Sequence, residues 1–208
     1  MSPAFQNPLP QGAPARACIR ESCQGCALRD RLLCRAGPAD LLDFGVLFVG
    51  WAIPFFYGLV HGGHWIGLVI WIVLAASFFL YGEAFLLCRH CPHYAEEGRS
   101  LTCHANYGLP KLPRLDPRPM NRFEQALWLG WVAVLFLYFI PFFIAGRQWL
   151  LLVLNSWALL TWAWTLQRTQ CVRCYHLSCP VNRVPRDDRA LFYENYPDYA
   201  PDRKKTEK

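Results

Sequence analysis

The chain has 208 residues, 54% of them hydrophobic and 15% aromatic, and its formal charge of +6 comes from residues gathered at the two ends and in one central loop. Long uncharged stretches exclude an ordinary soluble domain, whose surface helices show polar residues every three or four positions. The charge needs no nucleic acid to explain it, because anionic lipid attracts juxtamembrane Arg and Lys; nor is there a phosphate-binding loop, dinucleotide fingerprint, nucleophile elbow or zinc-protease helix.

In chain order, residues 1–17 are rich in Pro and lack the basic start and apolar run of a cleaved signal, so they read as a disordered arm. Residues 18–40 are a Cys-rich segment holding Cys18, Cys23, Cys26 and Cys34. The apolar runs 41–60 and 65–87 follow, each near the length of about 20 residues that a helix needs to cross a bilayer core. After them come Cys88, Cys91, His93, Cys103, Asn106 and Pro110. A linker, 111–124, leads to the runs 126–145 and 149–166, and then to Cys171, Cys174, His176, Cys179, Asn182 and Pro185. Residues 186–208 form a polar tail.

The two hairpins resemble each other at both ends. Each carries IPFF in its first span, at 53–56 and 140–143, and each is followed by CxxCxH, a later Cys and an Asn three residues on. The sequence therefore predicts an all-α membrane protein with four transmembrane helices arranged as two tandem-duplicated αα hairpins, units 41–110 and 125–185, with Cys-rich cytoplasmic loops.

Of the 21 Lys and Arg, only Arg147 falls in a short hairpin loop. By the positive-inside bias the opposite face is cytoplasmic, which predicts a multi-pass protein of the cell inner or cytoplasmic membrane with both termini inside. Two spans per unit place both Cys clusters, and the four N-terminal cysteines, on that same reducing face, where disulfides are disfavoured.

Reduced thiols in CxxC pairs suit soft or borderline metals. The expected ligands are Cys18, Cys23, Cys26, Cys34, Cys88, Cys91, His93, Cys103, Cys171, Cys174, His176 and Cys179. Two pairings are open: one shared four-sulfur site from Cys88, Cys91, Cys171 and Cys174, or a site closed within each unit with His93 or His104 and with His176. Either histidine could instead hydrogen-bond without ligating. The spacing of Cys18, Cys23 and Cys26 resembles the opening of plant-type two-iron ferredoxins, although the chain has no room for that fold before the first span. Pro after Cys91 and Cys179 and the excess of thiolate favour iron-sulfur clusters, while His in both units favours zinc.

The spans hold few polar groups. Glu83 is expected to reach the headgroups or pair with Arg89, and Asn155, Ser156, Thr161 and Thr165 to hydrogen-bond between helices. Pro54 and Pro141 should bend the first helix of each hairpin. The functional expectation is electron transfer by iron-sulfur or related metal centres on the inner face, between a soluble donor and a membrane partner or quinone, as a redox subunit without independent catalytic activity. The alternatives are a zinc-stapled scaffold or assembly factor binding a protein at the cytoplasmic face, and metal or thiol delivery.

Overall fold

The computed structural model describes residues 24–29, 31–34, 36 and 38–200. The expected arm and two expected ligands, Cys18 and Cys23, lie outside the described residues. Within them the regular elements are helical, with one isolated antiparallel bridge between Ser100 and Pro110. Four helical runs are long and apolar enough to cross a membrane: Asp40–His61, Trp65–His90, Arg122–Ala145 and Trp149–Thr169.

Helix α1, Pro38–His61, is unbroken, and Pro54 lies inside it. The second run has more structure than its apolar composition suggests. It comprises α2, Trp65–Ser77, a π-helical turn, Phe78–Gly82, and α3, Glu83–Leu86. Two local features accompany the widened turn. The Ser77 hydroxyl donates to the Val73 carbonyl at 2.7 Å, competing with the helical ladder just before the π turn. At its end, Gly82 lets the Trp131 ring approach to 2.8 Å from where a Cβ would stand. A π turn inserts one residue and rotates everything after it, which here brings Glu83 into the interior.

The third run is interrupted too. Helix α4, Arg122–Leu137, gives way at Tyr138 to α5, Phe139–Ala145. Pro141 has no N–H for the carbonyl of Leu137, four residues earlier, so the ladder is broken there. Close to the interruption, the Trp71 indole donates to the Leu135 carbonyl at 2.9 Å, a buried bond that ties the second run to the third. Helix α6, Trp149–Thr169, is continuous.

Lipid tails are as apolar as Leu, so close packing rather than hydrophobic burial must hold such helices together. The packing here is aromatic: Trp51, Phe55, Trp71, Phe78, Phe139 and Phe143 are buried in one core, and the ring pairs Trp51–Phe55, Phe55–Trp71 and Phe136–Trp162 lie 4.7 Å apart. Helix α1 is central, contacting α2, α5 and α6. At the hairpin end the Gln148 amide donates to the Gly58 carbonyl at 3.0 Å and pins one turn against the other.

At the opposite end a cap is built from three segments: 24–36, 88–121 and 170–200. One of its cores joins Leu28 and Leu32 to Tyr175, Leu177, Val184, Phe192, Tyr196 and Tyr199, and another joins Cys88, Tyr94, Ala95, Leu101 and Leu115. The region read as a polar tail thus contributes α7, Arg186–Asn195, whose Phe192 is buried. The helical spacing of Asp188, Phe192, Tyr196 and Tyr199 is the signal that marks this buried face.

Candidate functional site: the cysteine-rich cap

The structure brings the described cysteines and the two motif histidines into one cap. Cys88 opens a 3-10 turn, Cys88–His90, after α3, and Cys91 is its extended cap residue. Both are buried, while Cys26, Cys34, Cys103, Cys171, Cys174 and Cys179 are half-buried, and all eight are free thiols. Cys26 and Cys34 pack against the Tyr175 core.

Asn106 occupies the position between two sulfurs. Its backbone N–H donates to Cys103 Sγ at 3.2 Å and its side-chain amide to Cys88 Sγ at 3.4 Å. Asn182 holds the second loop differently, through backbone: its amide donates to the Cys174 and His176 carbonyls at 2.9 and 3.0 Å, and its side-chain oxygen accepts from the Val184 N–H at 3.0 Å.

Each motif histidine has one ring nitrogen on a backbone carbonyl. His93 Nε2 lies 2.9 Å from the Leu33 carbonyl, and His176 Nε2 lies 2.9 Å from the Leu87 carbonyl. A carbonyl only accepts, so each Nε2 carries a proton and offers no lone pair. Burial pushes the His176 imidazole down to about 4, and burial likewise pushes His104 to about 4, with nearby His93 adding to the effect.

Burial raises Cys103 to about 11 and Cys179 to about 12, and pushes Cys91 and Cys174 well up, with neighbouring thiols reinforcing the last three. Cys171 is raised less, because Arg183 opposes the effect of burial.

Among the described residues, no group of three or more His, Cys, Asp or Glu side chains could hold a metal ion. This overturns the expected iron-sulfur cluster, its zinc alternative, and with them the electron-transfer, zinc-staple and metal- or thiol-delivery readings. CxxC spacing fixes separation along the chain, but side-chain direction depends on the local turn and its partners. Here those partners are Asn106 and the Leu33 and Leu87 carbonyls.

What lies beneath the cap is an ion network that sequence reasoning missed. Glu124 accepts from Arg118 Nη1 and Nη2 at 2.8 and 2.6 Å and from Arg89 Nη2 at 2.8 Å. Arg118 Nε also pairs with Asp116 at 2.9 Å. His90, fully buried at its side chain, donates through Nδ1 to the Asp116 carbonyl at 2.9 Å and accepts from Arg89 Nε at 3.1 Å. Asn121 and Glu124 form a reciprocal capping box that starts α4 at this point. The pattern Asn-x-x-Glu before an apolar run was the available sequence signal.

Two polar residues of the spans depart from expectation. Glu83 does not pair with Arg89, which is committed to Glu124; it is buried and contacts Asn106. Asn155 is fully buried in α6, and neither its amide nitrogen nor its oxygen has a hydrogen-bond partner. On the hairpin side, His61 stacks on Tyr57 and is exposed, whereas His64 packs near Phe142.

No protein family, curated protein or solved structure matches this chain.

Proposed function

We propose that this chain is a membrane-anchored interaction protein. It is built as two tandem hairpin units, 41–110 and 125–185, and presents its cap to an acidic protein partner on the cytoplasmic side. The observation that carries the reading is the cap itself. Three segments far apart in the chain converge at one end of the bundle and enclose their own apolar cores; the middle one is bolted to α4 through Glu124 and the last is tied to it by Gln125, which donates to the Ser178 carbonyl at 3.1 Å. Such a module is a rigid platform rather than a set of loops. Its charge favours an acidic partner: Arg99, Arg114, Arg183 and Arg186 are exposed, against Glu97, Asp187 and Glu194.

The same arginines, set against the single Arg147 of the hairpin turns, support a cytoplasmic cap by the positive-inside bias. The tandem relation is supported by the recurrence of CxxCxH and IPFF, and by His93 and His176 using the same nitrogen on a backbone carbonyl.

The test is photo-crosslinking in native membranes, with the photoreactive residue placed at Arg114 or Arg186 in the cap, or at Trp149 on the hairpin side. Discrete, salt-sensitive adducts from the cap positions alone are expected. Equal adducts from Trp149, or none from the cap, would sink the reading. Topology is read separately: an impermeant thiol reagent applied to intact cells should label a cysteine introduced at Arg147 and leave Cys171 untouched.

A further inference from the structure

Helix α6 combines two properties that conflict on a lipid-facing helix. Of the four spans it is the least apolar and also the least covered by the rest of the chain. Its open face repeats at heptad spacing: Leu150, Val153, Trp157, Leu160 and Trp164 are each between 64% and 72% exposed. Thr161 is exposed beside them. One turn past Trp164, the Arg168 guanidinium lies over that ring, 4.6 Å from its centroid. Among the described residues Arg168 is paired with no carboxylate, in contrast to Arg31, Arg89 and Arg118.

Hydrocarbon is a poor solvent for this face. Trp suits the headgroup level, where its indole N–H finds an acceptor. Trp157 instead stands near the middle of Trp149–Thr169, about 12 Å along a helix about 31 Å long, and Thr161 follows one turn later. Close packing against another helix suits both residues, because small side chains fit between the rings and backbone or side-chain oxygens accept from the polar groups. A second copy of this chain, inserted in the same orientation, would set Arg168 against Arg168. A carboxylate on a foreign helix would pair with it. We propose that the acidic partner is itself a membrane protein, and that one of its spanning helices packs along the 150–164 face of α6 with a carboxylate at its cytoplasmic end on Arg168. This rests on the reading of the cap as the seat of an acidic partner, and adds that the partner crosses the bilayer.

The experiment is photo-crosslinking of the full chain in native membranes, with the photoreactive residue at Trp157, or at the exposed Val69 of α2 as a lipid-facing control. A discrete protein adduct is expected from Trp157 and only lipid adducts from Val69. The adduct should withstand alkaline extraction of the membranes, and mass spectrometry should find the crosslinked peptide in an apolar stretch that ends in Asp or Glu. Its yield should fall about fivefold in Arg168→Gln and stay unchanged in Arg147→Gln, at the other end of the bundle. Lipid adducts alone at Trp157, an adduct of two copies of this chain, a partner released by alkaline extraction, or equal losses from the two arginine variants would each overturn the proposal. Adducts from the cap positions Arg114 and Arg186 without one from Trp157 would overturn it and leave the cap reading standing; the reverse pattern would refute the cap reading alone.

Discussion

Asn155 is the residue most at odds with its surroundings. A buried amide with both ends unpartnered carries the full cost of desolvation, about 1–3 kcal/mol. Asn155→Leu should accordingly raise thermal stability in detergent or leave it unchanged; a marked loss would show that the amide has a partner within the bundle. His176 has the opposite character, a buried group whose one strong bond suits the neutral ring. Its folded-state value of about 4 lies below the usual 6.5. As pH falls from 6.5 towards 4, the unfolded chain takes up a proton that the folded cap refuses, so its stability is full above 6.5 and is lost through that window. The loss approaches about 3 kcal/mol. Equilibrium unfolding between pH 7 and about 4 should show it in the wild type, and a smaller slope in His176→Gln.

At the scale of elements, Glu124 joins the cap to the third span. Glu124→Gln leaves Asp116 as the one carboxylate beside Arg89 and Arg118. It should cost about 2 kcal/mol, less than a fully buried pair because Arg118 is partly exposed. The check is a double-mutant cycle with Arg89→Gln in thermal unfolding: additive losses would show that the two are not coupled. The π turn depends on packing. Gly82→Ala places a methyl group 2.8 Å from the Trp131 ring and should destabilise by about 1–3 kcal/mol. Gly130→Ala, whose added methyl meets nothing within 4 Å, should stabilise α4 by up to about 1 kcal/mol. Equal effects from the two would remove the packing explanation. The π turn was not legible in the apolar runs, because a composition that fits a membrane helix fits its irregular variants equally well, whereas Pro141 marked the interruption at Tyr138.

For the whole molecule, the sharpest difference between sequence and structure concerns metal. With the cap held by apolar cores, ion pairs and amide bonds to sulfur, anaerobically purified protein should be colourless, and chelator should leave its melting temperature unchanged. A chelator-dependent drop of several degrees would show that a metal contributes to folding. The cysteines after the second and fourth apolar runs do lie in one cap, where Cys91 is close enough to Cys174 and Cys179 to feel their charge. The expected iron-sulfur or zinc centre does not follow from this grouping, because among the described residues no group of three or more His, Cys, Asp or Glu side chains could hold a metal ion.

The sequence by itself determined the class of the protein and its four apolar runs. Crossing a bilayer depends on length and lack of charge, and both can be counted along a single stretch of chain. The tertiary structure alone decided what the cap residues do. His93 meets Leu33 across 60 positions and His176 meets Leu87 across 89, and contacts at such separations set side-chain direction, burial and ionisation together. Local spacing placed the thiols near one another; long-range packing turned them into structure.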